Sequence, residues 1–298
     1  MAAEFDFIKW IRSRQQMTDV VPIPAGDDLA ALRFPPNNLL LVGVDQVLDG
    51  VHFNSAVHSA RSIGQKAMNR NLSDCAAMAC LPHAAVTTFA LPKGVGEEYA
   101  RELYEGMKEA ADVFDCPIVG GDTGSWAGKL AVTVTIMGRS EGITPVTRAG
   151  AKLNDRIYVT GPLGGSILGR HMTFEPRIHL ARNLARDYRI TSMIDLSDGL
   201  SRDLGHLCRQ SKVAACIDAI AVPIHDDAIK MRRDGHSPLE HALHDGEDYE
   251  LLFTSPDEIP VDQATKIGTI APGSAGSICL STDGGSEFLT PKGWEHTL

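Results

Sequence analysis

Six aspartates stand at positions where a carboxylate has to be explained. Asp27 sits in a Gly26-Asp27-Asp28 turn, and Asp45 ends the apolar run 39–44. Asp74 shares one helical stripe with Ile63, Ala67, Asn71 and Met78. Asp122 lies in Gly120-Gly121-Asp122-Thr123, and Asp195 and Asp198 in Asp195-Leu196-Ser197-Asp198-Gly199. A carboxylate at a buried strand end or on an inward helix face is costly unless paired, hydrogen-bonded or bound to a cation. Gathered around Mg²⁺, such groups make an all-oxygen site that holds polyphosphate. The glycines let the backbone approach a ligand closely. The helix after Asp198 offers free N–H groups to a phosphate, with Ser197 or Asp198 as its cap. Taken singly the motifs are weaker. Gly-Asp-Asp alone reads as a solvated turn, Asp198 as a plain cap, and His52, between Val51 and Phe53, as a half-buried structural imidazole. There is no GxxxxGK[ST] loop and no HRD or DFG set, so nucleotide chemistry here is not that of a P-loop enzyme or a protein kinase.

The elements that must carry these residues follow from hydrophobic periodicity. Residues 4–16 read as a short amphipathic helix. The run 39–47 reads as a strand buried on both faces, 59–80 and 95–114 as helices, 83–92 and 129–139 as strands, and 116–123 as a strand ending in the Gly-Gly-Asp turn. The first half thus has the order β-β-α-β-α-β-β, an α+β sheet with helices on one face. Residues 144–155 are poor in apolar side chains and mark a domain boundary, giving domains 1–146 and 147–298. The second half has strands at 156–161, 192–195, 214–223, 248–254 and 265–273 and a helix at 201–211, with a basic stretch over 170–189. His241 and His244 have helix-like spacing and read as a surface pair.

The chain has 298 residues, 38 acidic against 28 basic side chains and a net charge of -10. At about 150 residues per domain this length corresponds to two domains. The acidic balance argues against a nucleic-acid partner. No run approaches the ~20 apolar residues of a membrane span and the start of the chain has no signal-peptide apolar run, so the expectation is a cytoplasmic protein. The 6 cysteines show no metal-ligand spacing and read as reduced core thiols.

The ordered motifs Gly26-Asp27-Asp28, VDQVLDGVHF at 44–53, KAMNRNLSDCAAMACLP at 66–82, IVGGDT at 118–123, RAGA at 148–151, DLSDGL at 195–200 and GEDYELLFT at 246–254 resemble the thiamine-monophosphate kinases of the aminoimidazole-ribonucleotide-synthetase-like superfamily. The resemblance runs over nearly the whole chain, to KGWEH at 292–296. It implies two α/β-layered domains. The N-terminal mixed sheet would pair across a homodimer into a β-barrel and serve ATP, metal binding and dimerisation, beside a C-terminal α/β domain. It implies ATP and Mg²⁺ as cofactors and transfer of the γ-phosphate to thiamine monophosphate. Carried over by position, Asp27, Asp45, Asp74, Asp122, Asp195 and Asp198 resemble magnesium ligands, with Asp122, Asp195 and Asp198 at the catalytic centre. Tyr104, Gly121, Asp122, Arg148 and Ser197 resemble ATP contacts, and His52, Glu247 and Trp294 substrate contacts. The sequence departs from the family at Gly43-Val44, where a Ser or Thr hydroxyl usually precedes the aspartate, and in a shorter stretch between Gly165 and Ile190. The alternatives are another ATP-dependent enzyme of the superfamily, such as a selenophosphate synthetase, and a non-catalytic nucleotide- or metal-binding relative. Residues 12–28 lack the Cys and Lys that selenophosphate synthetases carry there.

Overall fold

The structure, a computed structural model, describes residues 10–14, 17–22, 30–231 and 234–294. Asp27 and its Gly-Asp-Asp turn lie outside the described residues, as does most of the helix expected at 4–16, of which 10–14 are helical. The chain forms two compact units, one of residues 1–75 and 80–142, the other of 76–79 and 143–298.

The first unit is built on a four-stranded sheet in the order β1-β4-β2-β3. Its elements are β1 (Leu40–Leu48), α1 (Ala60–Ala77), β2 (Leu81–Pro92), α2 (Gly96–Asp112), β3 (Ile118–Trp126) and β4 (Ala131–Arg139). The first strand expected in this half shrinks to a bridge at Ala31, with Arg33 N donating to Val20 O at 2.9 Å. β2 and β3 are parallel and joined through α2, whereas β4 pairs antiparallel with both β1 and β2. α1 stops at Ala77 rather than 80 because Ala79 turns left-handed (φ 52) and Cys80 N donates back to Cys75 O at 3.0 Å. The helices cross where glycine permits it: a Cβ on Gly64 would lie 2.1 Å from Leu103 O, and one on Gly106 1.9 Å from Arg61 O.

Two expectations fail here. β1 is not buried on both faces: it is an edge strand with Leu40, Val42 and Val44 exposed at 53%, 65% and 65%. A continuous apolar run signals two faces seeking cover, and within the described residues one face of β1 finds none. Gly120-Gly121-Asp122-Thr123 is not a strand-end turn but the middle of β3, paired with residues 86–89 of β2. Glycine allows the pairing, since a Cβ on Gly121 would lie 1.9 Å from Thr87 O.

The second unit holds a seven-stranded sheet in the order β11-β10-β7-β9-β5-β8-β6. Its strands are β5 (Arg156–Val159), β6 (Ser192–Asp195), β7 (Ala214–Asp218), β8 (Leu251–Ser255), β9 (Thr265–Ala271), β10 (Ile278–Thr282) and β11 (Gly285–Phe288), all antiparallel neighbours except β7 and β10. The helices are α3 (Ile178–Asp187), α4 (Leu200–Ser211), α5 (Asp226–Met231) and α6 (Pro238–His244). α4 buries Leu200, Leu204 and Leu207 against Leu196, Ile217 and Leu252, all completely inaccessible. α3 hides in the basic stretch, where Ile178, Ala181 and Leu184 form its buried side. α6 begins with a Ser237/Glu240 capping box. His241 is no surface residue: only 3% exposed, its Nδ1 lies 3.0 Å from Asp245, while His244 Nδ1 bonds Ser201 Oγ at 2.9 Å.

Candidate active site

In the first unit Asp45 and Asp74 come together on one face of β1. A Cβ on Gly43 would lie 3.8 Å from Asp74 Oδ2, and Gly43 and Asp45 project from the same face of the strand. The Asp74 carboxylate thus lies within ordinary contact distance of a Cβ at position 43. Asp45 Oδ2 accepts from Arg70 Nε at 2.6 Å, so arginine supplies the counter-charge that the strand position demands. Asp122 does not join them. The register Gln46–Thr133–Thr88–Asp122 runs across the sheet one residue out of step with Asp45–Val134–Thr87–Gly121, which puts Asp122 on the opposite face. The bond from Gln46 Nε2 to Thr133 Oγ1 at 2.9 Å marks that second face.

His52 is 9% exposed and closes the turn after β1, its Nδ1 accepting from Leu48 N at 3.0 Å. With Nδ1 as acceptor, the neutral ring carries its proton on Nε2. In the same turn burial raises the Asp49 carboxyl, but hydrogen bonds from Ser55 and the charge of Lys129 outweigh it and hold the group below its usual range. Tyr104 is 2% exposed on α2 and meets Trp10 edge-on with centroids 5.7 Å apart. It lines a groove of about 500 Å³ with Arg14, Thr18, Glu105, Lys108 and Val119.

The acidic turn of the second unit is the most built of these features. Asp195 ends β6 at 4% exposure, and the chain then crosses to α4 through Ser197 and Asp198. Neither Ser197 nor Asp198 caps α4. The N-cap is Gly199, and Asp203, from inside the helix, accepts the N–H of Asp198 at 3.0 Å and of Gly199 at 3.1 Å. Burial, then repulsion from Asp198 and Asp195, holds the Asp203 carboxyl well above the usual carboxylate range, with Arg148 pulling the other way. Arg148, exposed, is thus near enough for its charge to be felt in the turn.

A second segment is zipped to this turn. Glu247 N donates to Ser197 O at 2.8 Å, Tyr249 N to Leu196 O at 2.9 Å and Leu196 N to Glu250 O at 2.8 Å. Glu247 and Tyr249 both stand at φ 52, a left-handed strain that non-glycine residues carry mostly where a site demands it. Tyr249 stacks on Phe174 with centroids 3.8 Å apart and donates to Glu247 Oε1 at 3.3 Å. Residues 293–294 are laid over the same turn: Trp294 N donates to Asp198 O at 3.2 Å, and the tryptophan is 49% exposed. A Cβ on Gly293 would lie 2.1 Å from Asp198 O, so only glycine permits this crossing.

Sequence reasoning missed Asp203, Asp248 and Glu250. Glu250 takes Arg177 Nε at 2.9 Å and Nη2 at 2.6 Å and Thr160 Oγ1 at 2.6 Å. Asp248 accepts from Gly164 N at 3.0 Å and Arg170 Nη2 at 3.0 Å, and burial pushes its carboxyl up to about 7 against the pull of Arg170. The signal was available: acidic residues at 247, 248 and 250 lead directly into the apolar run Leu251-Leu252-Phe253 of a fully buried strand.

Among the described residues no three His, Cys, Asp or Glu side chains are gathered closely enough to enclose a metal ion. Magnesium keeps several waters and is bound by one or two carboxylates together with substrate phosphates. The repulsion that the buried Asp203 feels from Asp198 and Asp195 is the observation that fits a cation beside the second unit's turn.

Residues 26–140 match the family model described as AIR synthase related protein, N-terminal domain. A curated relative, the thiamine-monophosphate kinase of Rhodopirellula baltica, is 40% identical over 274 residues, 89% of this chain and 86% of its own. The structure described as AaThiL complexed with AMPPCP and TMP superposes with a TM-score of 0.79 at 30% identity, covering 99% of this chain and 97% of that one. The crystal structure of thiamine-monophosphate kinase from Stenotrophomonas maltophilia gives 0.80 at 32% identity, covering 93% and 96%. The matched family model and the superpositions give the chain the fold of the AIR-synthase-related class. Within that class, the chain belongs to the thiamine-monophosphate kinase family.

Proposed function

We propose that this chain transfers the γ-phosphoryl group of ATP to thiamine monophosphate, giving thiamine diphosphate and ADP. The observation that carries the reading is the match to AaThiL complexed with AMPPCP and TMP over 99% of the chain. The strained segment 247–249 and Trp294, both anchored to the Ser197–Asp198 turn, support it.

In this reading a phosphate oxygen of the substrate attacks the γ-phosphorus in line and ADP leaves. A phosphate monoester, with a second pKa of about 6, is already ionised near neutrality and needs no strong general base. Magnesium, when bound, neutralises the phosphate oxygens and orients the transferring group. Its proposed ligands are Asp195 and Asp198 in the second unit and Asp45, Asp74 and Asp122 in the first, with Asp27. Arg148 grips ATP phosphate, Ser197 and Gly121 present backbone and hydroxyl to it, and Tyr104 offers its ring and hydroxyl at the 500 Å³ groove. His52 and Glu247 contact the substrate, and Trp294 stacks on its cationic ring.

The proposed domains are 1–146, which binds ATP and metal and dimerises, and the aminoimidazole-ribonucleotide-synthetase-like α/β domain 147–298. The uncovered apolar face of β1 is proposed to pair with a second copy, building the β-barrel of a homodimer. A substrate panel tests the reading. ADP release with magnesium should require thiamine monophosphate, and release with a different small phosphate but not this one would move the protein to another activity of the class.

A further inference from the structure

β7 and β10 run parallel as neighbours, and their register sets Cys216 directly beside Cys279. Ala215 and Ile217 on β7, and Ile278 and Leu280 on β10, alternate into the core. The two cysteines therefore leave from the opposite face, where both are half-buried. The same row holds Thr269 on β9 and Phe288 on β11, the latter 69% exposed. This end of the sheet is remote in strand order from β6 and its acidic turn. The Cys216 and Cys279 side chains are direct cross-strand neighbours on this face, and burial together with the neighbouring Cys279 pushes the Cys216 thiol up to about 11. Adjacent strands lie about 4.8 Å apart, inside the window of roughly 4.4–6.8 Å between Cα atoms that a disulfide spans. The Cα spacing is therefore compatible with a bridge between these two positions.

We propose that Cys216 and Cys279 form a dithiol redox site that closes to an intramolecular disulfide by exchange with a small disulfide oxidant of the glutathione disulfide class. The Cys279 thiol gives up its proton and its sulfur attacks the oxidant's disulfide. It forms a mixed disulfide and expels one glutathione thiolate. Cys216 then gives up its proton and attacks the Cys279 sulfur, expelling the second glutathione. The protein loses two electrons and two protons, and one glutathione disulfide becomes two glutathione thiols.

A second thiol pair shows why access selects this one. Cys75 and Cys80 are also neighbours, with Cys80 N donating to Cys75 O at 3.0 Å, but are only 3% and 2% exposed, so the reagent does not reach them in the folded protein. The bridge at 216–279 would tie β10 to β7 and close the long loop between them. Because Leu289 N donates to Ile278 O at 2.9 Å, the staple lies just ahead of the segment that ends at Trp294.

The test uses the full chain under native conditions with glutathione disulfide, followed by intact mass and peptide mapping. The expected result is loss of two hydrogens, a cross-linked peptide joining Cys216 to Cys279, reversal by dithiothreitol and a melting temperature several degrees higher in the oxidised form. Cys216→Ser should give no cross-link and at most a single glutathione adduct at Cys279. Cross-linking of Cys75 to Cys80 instead would overturn the proposal. So would two separate glutathione adducts, or two unreacted thiols after equilibration at an oxidising ratio. The mapping of the unmutated protein decides even if the serine variant fails to fold.

Discussion

Substituting Gly293 by alanine probes the crossing of the chain end over the catalytic turn. The new Cβ would stand 2.1 Å from Asp198 O, whereas real Cβ contacts essentially never fall under 3.0 Å. Backbone cannot bend away as a side-chain tip can, so the segment 291–294 must lift by about 1 Å, a displacement that can cost up to about 100-fold in an enzyme. Residue 293 also has φ 135, where alanine is strained by about 1–3 kcal/mol. The Trp294 N to Asp198 O bond, at 3.2 Å, is lost with the lift, worth about 0.5–1.5 kcal/mol. The segment lies on the surface of its unit, so it moves while the fold stays. Misplacing Trp294 should raise the KM for thiamine monophosphate about tenfold or more, each 1.4 kcal/mol being about tenfold, and leave the KM for ATP within about twofold of the parent. Steady-state kinetics with each substrate varied, alongside circular dichroism, reads this out. An unchanged KM for thiamine monophosphate, or an equal rise for both substrates in a folded protein, would refute the reasoning.

Asp195→Asn should lower kcat by at least about 100-fold with secondary structure and oligomeric mass unchanged, because it removes charge from the turn without changing its shape; turnover at the parent rate would remove Asp195 from the ligand set. Val42→Lys, on the exposed apolar face of β1, should convert a dimer to a monomer in light scattering, and an unaltered mass would place the subunit contact elsewhere. Asp248 is held at about 7 in the fold against 3.8 ordinarily, so its contribution to stability is full below about 4 and is lost as pH rises to about 7. Asp248→Asn should therefore gain in relative urea midpoint from pH 4 to 7 and level off above, and a difference that ran the other way with pH would contradict the raised carboxyl.

Both α1 and α2 were legible because Ile63, Ala67 and Asn71, and Leu103 and Met107, repeat at helical spacing over long stretches. The second unit was less so. α3 carries two arginines, Arg182 and Arg186, that mask Ile178, Ala181 and Leu184, and α6 is too short for periodicity to show, although Ser237 and Glu240 spell its cap. β1 misled because an apolar run says that both faces want cover and not what provides it. The acidic residues were found by type and by their place at strand ends, but their roles needed contacts. Arg70 answers Asp45, and Asp203, four residues into a helix, does the capping expected of Ser197 or Asp198. No spacing rule gives the strain at Glu247 and Tyr249. It comes from the zipping of two segments about 50 residues apart, which only tertiary structure displays.

The central claim is tested most directly by following the label from γ-³²P-ATP in the presence of thiamine monophosphate, with and without Mg²⁺. The account predicts that the label appears in thiamine diphosphate, that its appearance requires magnesium, and that chelation stops it. Label released as inorganic phosphate or delivered to another acceptor, with no thiamine diphosphate formed by the magnesium-loaded protein, would contradict it.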